Sequence, residues 1–187
     1  MNGRVIILAE EESMDAFLRA VLPIAYPDRS ENIDWLLIHH RGKSDLEASI
    51  PRKIRAWREP QIRFLIARDN DGGDCKILKA RLASLVPDPP APPFLVRIVC
   101  QELESWLIGD PEALVSAYPD ARRHPSFRTW TNLNPDELSN ASDLLRQMTG
   151  TRAKVTRAAA IGRHVVPERN RSRSFQVFLE GLKSMLS

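Results

Sequence analysis

The chain has 187 residues, of which 43% are hydrophobic and 27% are charged, and its formal net charge is +3. This composition is that of an ordinary globular domain and excludes a disordered chain, while the presence of only two cysteines argues against a disulfide framework. The apolar run near the N-terminus is too short for a signal peptide, and no stretch approaches the roughly 20 apolar residues of a membrane span, so a cytoplasmic location is expected.

Four short apolar runs, rich in branched side chains, predict buried β-strands. They are Arg4–Ala9, Ile33–His39, Ile62–Ala67 and Phe94–Cys100. Helical patterns at 13–25, 44–57 and 75–86 separate them, and the second opens with Ser44 and Glu47 in capping-box spacing. A further helical pattern, 101–118, is interrupted at Gly109–Pro111. Strands that alternate with helices predict an α/β fold with a mostly parallel four-stranded sheet and helices on both faces.

The C-terminal third differs from the rest in its helical patterns and its basic charge. A proline-rich connector at 86–93 belongs to the α/β unit, a loop is predicted at 124–135, and three helical patterns follow at 134–148, 152–165 and 172–186. From Thr151 to Ser187 there are eight Lys/Arg and two Asp/Glu, a net charge of +6, which leaves −3 for the rest. We therefore predict an α/β core at residues 1–120 and a basic helical extension at 121–187 that packs on it. The basic segment suits a polyanion, although a solvated basic face would look the same.

Acidic residues follow three of the four predicted strands. Glu10 ends the first strand, Asp69 and Asp71 follow the third, and Glu102 and Glu104 follow the fourth. Ligands of open parallel sheets bind at the carboxyl ends of the strands, so these carboxylates are expected to share one edge. Clustered carboxylates repel one another unless a cation lies among them, and they form the hard-oxygen environment that Mg²⁺ or Mn²⁺ prefers.

Structural roles at helix starts are an alternative to metal binding for several of these acidic residues. Asp74 stands where the N-cap of the next helix belongs, after a turn made possible by Gly72 and Gly73. Glu11 and Glu12 suit a helix start, where negative charge is favourable, and Glu102 with Glu104 could play the same part. Which glutamate of 10–12 belongs to the site stays open at this point.

These residues resemble the TOPRIM domain, the metal site of topoisomerases, primases and OLD-type nucleases, which has a Glu after strand one and Asp-x-Asp after strand three. Longer segments, RDNDGGDC and QELESWLIGD among them, resemble an uncharacterised bacterial family of TOPRIM-like proteins, a domain of unknown function often encoded beside AAA- or ABC-type ATPases. The resemblance spans most of the chain and implies a TOPRIM/Rossmann-like fold. TOPRIM proteins usually have Gly after the first Glu, where this chain has Glu11.

The resemblance implies a Mg²⁺- or Mn²⁺-dependent nuclease acting with an ATPase partner in defence against phage or mobile DNA. The implied catalytic residues are Glu10, Asp69, Asp71, Glu102 and Glu104, with Glu10, Asp69, Asp71 and Glu104 as metal ligands. Basic residues would neutralise the phosphates of the nucleic acid. They are Lys43, Lys154, Arg163, Arg171 and Arg173.

Two other functions remain open. A non-catalytic TOPRIM-like module could serve an ATPase system by binding alone. A receiver-like phosphoacceptor also has acids after strands one and three, but it needs a single Asp after strand three and a Ser or Thr after strand four. This chain has Asp-x-Asp and then glutamates. His39 and His40 are expected to complete the second strand, and Cys75 and Cys100 to be buried and inert.

Overall fold

The computed structural model describes residues 3–89 and 91–187. Its sheet has the strands β1 (Val5–Ala9), β2 (Trp35–His39), β3 (Arg63–Asp69) and β4 (Phe94–Val99). The strand order is β2-β1-β3-β4, and every neighbouring pair is parallel. The predicted α/β fold is therefore confirmed, with a sheet that is parallel throughout its four strands.

Nine α-helices surround this sheet within the described residues. They are α1 (Glu12–Ala25), α2 (Lys43–Ala56), α3 (Cys75–Ser84), α4 (Leu103–Ile108), α5 (Pro111–Ala117), α6 (Phe127–Trp130), α7 (Ala141–Thr149), α8 (Lys154–Gly162) and α9 (Arg173–Leu186). Short 3-10 helices occupy Pro119–Arg123, Pro135–Glu137 and Pro167–Arg169. None of the helices in the described ranges is long and apolar enough to cross a membrane.

The side chains of β1 alternate between two hydrophobic cores, as the two-residue repeat of a strand requires. Val5, Ile7 and Ala9 face a large core that is completed by α1, α4, α5 and the C-terminal helices. Ile6 and Leu8 face a smaller core made with α2 and α3. All five residues have no exposed surface, so β1 is the centre of the fold and both faces of the sheet are covered.

The C-terminal helices belong to the large core and are not a separate layer of surface. Ile161 of α8 and Phe175 and Phe178 of α9 are fully buried there with Phe17 of α1. Phe175 also packs against Trp106 of α4, with ring centroids 5.3 Å apart. The C-terminal segment thus packs on the α/β unit, whereas the proposed boundary near residue 120 stays a prediction.

Several details differ from the sequence prediction. Ser44 does not cap α2, because the helix begins one residue earlier and Gly42 is its N-cap, without a side-chain bond. Strand β3 runs two residues further than predicted, so Asp69 is part of the ladder and pairs with Val99. The predicted loop 124–135 contains the short helix α6. The break at Gly109–Pro111 is confirmed, since it separates α4 from α5.

The chain reverses its direction across the sheet between β1 and β3. From β1 it passes through α1 to β2 on one side, and from β3 through α3 to β4 on the other. Helices α1 and α3 lie on opposite faces, so their first turns diverge. Doubly wound sheets bind ligands in the crevice outside such a switch point. Glu10 and Asp69, at the ends of β1 and β3, flank it.

The contact of α8 with α1 is close enough to be tested at one glycine. A methyl group added at Gly162 would lie 2.9 Å from Ala20 Cβ and 3.1 Å from the Phe17 carbonyl oxygen. We expect Gly162→Ala to lower the free energy of unfolding by about 1–3 kcal/mol through overpacking, although alanine is the better helix former. Thr156→Ala, at an exposed position of the same helix, should be neutral or slightly stabilising. Equal denaturant midpoints for the two variants would contradict this packing.

Candidate metal centre

Asp69 lies at the end of β3 with its side chain directed to the large core, because it follows Ala67 by two residues on the same face. It is only 8% exposed. Its Oδ2 accepts a hydrogen bond from the backbone N–H of Leu103, the first residue of α4, at 3.1 Å. Its Oδ1 is buried and has no hydrogen-bond partner among the described residues. Burial, together with the nearby charge of Glu10, raises the pKa of Asp69 well above its usual value.

Glu10 is held beside Asp69 from the neighbouring strand. Its Oε2 accepts from the backbone N–H of Asp69 at 3.1 Å and lies 3.8 Å from Arg68 Nε. Burial raises the pKa of Glu10, and Asp71 adds to the effect, while the Asp69 N–H and Arg68 oppose it. Arg68 is itself fixed by Glu47 of α2, which also accepts from Arg81 of α3 at 2.6 Å. An ion-pair network with α2 and α3 thus holds Arg68, whose Nε lies near Glu10 without forming a hydrogen bond.

Asn70 organises the acidic loop. Its Oδ1 accepts from the backbone N–H of Gln101 at 2.6 Å and of Gly72 at 3.2 Å, and its Nδ2 donates to the Gly73 carbonyl at 2.8 Å. Asp71 follows with a φ of 50°, in the left-handed region, and its N–H donates to the Gln101 carbonyl at 3.1 Å. One amide side chain therefore ties the loop after β3 to the segment after β4.

Asp71 and Asp74 have different surroundings within this loop. The Asp71 side chain is 50% exposed, and its Oδ2 lies 3.4 Å from Lys43 Nζ at the start of α2. Asp74 Oδ1 accepts from the backbone N–H groups of Lys76 and Ile77 at 2.7 and 3.0 Å. The predicted N-cap role of Asp74 is confirmed, whereas Asp71 is a half-exposed carboxylate paired with Lys43.

The two glutamates after β4 are not equivalent. Glu102 is the N-cap residue of α4, its Oε2 is buried without a partner among the described residues, and burial, with the charge of Glu104, raises its pKa. Glu104 is 2% exposed, and its Oε1 accepts from Arg157 Nη2 at 3.0 Å and from Ser142 Oγ at 3.3 Å. Arg157 is also 2% exposed, so Glu104 is already neutralised in a buried ion pair.

The helix α8 brings a second cation to the carboxylates. Lys154 Nζ lies 3.8 Å from Glu104 Oε1, and half of its side chain is exposed. Burial acts against its charge, but the carboxylates of Glu104, Glu11, Glu102 and Asp69 outweigh burial and raise its pKa. Lys154 is therefore a cation that faces the acidic cluster on one side and solvent on the other.

The remaining basic residues of the prediction lie elsewhere or are engaged. Arg163 caps the opposite end of α8, about 13 Å from Lys154 at the rise of an α-helix. Arg171 donates to the carbonyls of Thr131 and Leu133, and Arg173 pairs with Glu180 at 3.3 Å on the exposed side of α9. Among the five predicted phosphate-binding residues, the structure brings Lys43 and Lys154 to the acidic cluster.

Three residues of the site were not predicted from the sequence. They are Asn70, Arg68 and Arg157, which belong to no recognisable motif, although Asn70 lies inside the acidic loop. His40 is buried and contacts the Ala9 carbonyl through Nδ1 at 2.8 Å and Ser49 Oγ through Nε2 at 2.6 Å. It thereby anchors the end of β1 from a position just after β2, which ends at His39.

The donors fit a divalent cation only in part. In the described ranges, no three His, Cys, Asp or Glu side chains converge closely enough to enclose an ion. Asp69 Oδ1 has no hydrogen-bond partner among the described residues, and burial raises the pKa of both Asp69 and Glu10, so contacts within the described ranges compensate these carboxylates only in part. Mg²⁺ is commonly held by one or two carboxylates, with water and substrate phosphates completing its shell. Glu10 and Asp69 fit such an open site, with Asp71 within reach.

The family is identified from the sequence as a whole. A family described as "Domain of unknown function (DUF4276)" matches residues 9–183. The chain belongs to this family. No curated protein matches the sequence. The DUF4276 chain is similar in structure to the C-terminal region of the Burkholderia pseudomallei OLD protein, with a TM-score of 0.59, 17% identity and complete coverage of both chains. At this identity the likeness establishes a shared fold.

Because Asp69 is only partly compensated, replacing its carboxylate by an amide should stabilise the protein. Without metal at neutral pH, Asp69→Asn should raise the free energy of unfolding by about 1–3 kcal/mol, because the amide oxygen can still accept from Leu103 without a buried charge. At roughly 2–4 °C per kcal/mol, the change is measurable in thermal melts.

The pH dependence of this difference has a defined sign. Because the pKa of Asp69 is raised on folding, the folded protein binds a proton more tightly, and wild-type stability falls as pH rises from the unfolded to the folded pKa. The gain in free energy of unfolding of Asp69→Asn over the wild type should therefore reach its full size above the pKa of Asp69 in the folded protein. It should vanish below about pH 4. Asp110→Asn is the matched control. The buried Asp110 carboxylate accepts from Arg169 at 2.6 Å, so the same substitution there should lower the stability of the protein. If both variants lose stability alike, Asp69 is an ordinary paired carboxylate.

Proposed function

We propose that this DUF4276 protein is a TOPRIM-like Mg²⁺- or Mn²⁺-dependent phosphodiesterase that cleaves nucleic acid. The observation that carries the proposal is the buried, partnerless oxygen of Asp69 next to Glu10 at the topological switch point. A buried carboxylate without a countercharge is costly, so a fold retains one where a cation or a reaction needs it. The shared fold with the C-terminal region of an OLD protein and the TOPRIM resemblance support the same chemistry.

Each acidic residue of the site would have its own role in this reaction. Glu10 and Asp69 would hold a divalent cation, which when bound supplies an activated water and stabilises the leaving oxygen of an in-line displacement. Burial raises the pKa of Glu102, and a shift in this direction suits a carboxyl group that holds and releases a proton. Asp71 is exposed enough to approach a substrate-bound cation. Glu104 acts through its ion pair with Arg157, which fixes α8 against α4.

Phosphate recognition is assigned to Lys154 and Lys43, on opposite sides of the carboxylates. Each has more than half of its side chain exposed and reaches an acidic residue of the site at 3.4–3.8 Å. A cavity of about 480 Å³ opens beside Lys154 and is lined by Glu11, Ser13, His39 and Arg41. This opening would admit a nucleic-acid strand along the ends of β1 and β2. An AAA- or ABC-type ATPase partner, and a role in defence against phage or mobile DNA, are proposed from the resemblance alone.

The central test is cleavage. The purified protein would be incubated with supercoiled, linear and single-stranded DNA and with RNA, in Mg²⁺, Mn²⁺ or EDTA. We expect metal-dependent cleavage that is abolished in Asp69→Asn/Asp71→Asn. Asp74→Asn, which makes the same charge change in the same loop, should retain it, since asparagine is an equally good N-cap.

The outcomes of this test separate the two candidate functions. Without cleavage, a melting temperature that Mn²⁺ raises in the wild type but not in the double variant would favour the non-catalytic accessory module. No effect of metal on either protein would rule out the metal centre.

The role of Lys154 can be tested by comparison with the other end of its helix. We expect Lys154→Ala to weaken nucleic-acid binding and to lower the slope of log affinity against log salt by about 1, as the loss of one phosphate contact does. Arg163→Ala, which removes an equal charge away from the carboxylates, should leave the slope unchanged. Fluorescence anisotropy titrations over a salt series, in Ca²⁺ or EDTA, would measure both. Equal losses would assign binding to the whole basic face.

A further inference from the structure

The two cysteines of the chain lie next to each other at the acidic loop. Cys75 is the first residue of α3 and Cys100 directly follows β4, and their sulfur atoms are 3.9 Å apart. Both residues are partly exposed, so the expectation of buried thiols was wrong, while their reactivity is a separate property that exposure alone does not decide. A sulfur pair at this distance needs a movement of about 2 Å to reach the bond length of a disulfide.

The pair bridges the two segments that carry the carboxylates. Cys75 ends the acidic loop 69–74, and Cys100 precedes Gln101 and Glu102. The two segments are also joined by the Asp71 N–H, which donates to the Gln101 carbonyl, and by Asn70, whose Nδ2 contacts Cys75 Sγ at 3.2 Å. A displacement of the Cys75 sulfur therefore acts on Asn70, one of the groups that hold Asp71 beside Gln101.

We infer that Cys75 and Cys100 are an oxidation site, a dithiol that peroxide converts to a disulfide and that thereby weakens the proposed metal centre. The inference about the metal rests on the proposed function, whereas the disulfide does not. One thiolate attacks the peroxide O–O bond and becomes a sulfenic acid as hydroxide leaves. The second sulfur then attacks the first and displaces the sulfenic oxygen as water. In total two thiols lose two hydrogens and one hydrogen peroxide is reduced to two waters.

The disulfide itself is tested on the full chain with peroxide, followed by thiol titration and intact mass. We expect the wild-type monomer to lose both thiols and the mass of two hydrogen atoms, and dithiothreitol to restore both. Cys75→Ser and Cys100→Ser should show no such loss of mass. Thiols that survive, or that yield only oxygen adducts or cross-linked dimers, would overturn the assignment.

The consequence for the site is tested by Mn²⁺-dependent thermal melts of reduced and oxidised protein. We expect oxidation to raise the apparent Kd for Mn²⁺ roughly tenfold, the effect of disturbing a residue that orients a metal ligand. The double variant Cys75→Ser/Cys100→Ser should respond to Mn²⁺ equally before and after peroxide. Unchanged affinity in the oxidised wild type would overturn the regulatory effect. If the reduced protein does not respond to Mn²⁺, the metal centre fails, and thiol titration still decides the disulfide.

Discussion

The structure is arranged around the repulsion between Asp69 and Glu10. Both carboxylates lie at the ends of central strands, where burial denies them the full screening of water. The chain compensates them incompletely, with backbone N–H groups of Asp69 and Leu103 and with Arg68 at 3.8 Å. Another buried carboxylate of the chain is compensated more fully, since Asp110 receives two bonds from Arg169 and two from backbone N–H groups. Asp69 therefore has less compensation from its described neighbours than a buried carboxylate elsewhere in the same fold.

The two hydrophobic cores make different contributions to this arrangement. On the side of the smaller core, Glu47 of α2 and Arg81 of α3 form ion pairs that hold Arg68 at 3.8 Å from Glu10. The large core brings α8 against α1 and α4, and so places Arg157 and Lys154 at Glu104. A basic C-terminal segment packed against an acidic sheet edge lowers the repulsion while leaving Asp69 unpaired. Packing and electrostatics are thus coupled, because a displacement of α8 would remove Arg157 and Lys154 from the carboxylates and increase the repulsion among them.

Much of this could be predicted from the sequence because strands and carboxylates leave strong local signals. The branched runs gave all four strands, and the position of acids after three of them gave the sheet edge, since parallel strands end together. Signals that depend on three-dimensional neighbours were missed. Arg157 looks like any other arginine of a basic helix until Glu104 is placed beside it, and Asn70 acts through backbone groups of a segment 31 residues away. Ser44 and Glu47 matched a capping box by spacing, yet Glu47 is engaged by Arg68 and Gly42 begins the helix.

The strand order explains why the acids after the first and third strands lie side by side. Because β1 and β3 are neighbours at the switch point, the backbone N–H of Asp69 donates to Glu10, and both side chains are largely buried where the first turns of α1 and α3 diverge. The segment after β4 instead enters α4 directly and is covered by α7 and α8, so Glu104 is buried and paired with Arg157. Asp69, by contrast, has a backbone N–H on one oxygen and no partner among the described residues on the other. The topology therefore separates a carboxylate that an arginine compensates from one that its described neighbours compensate only in part.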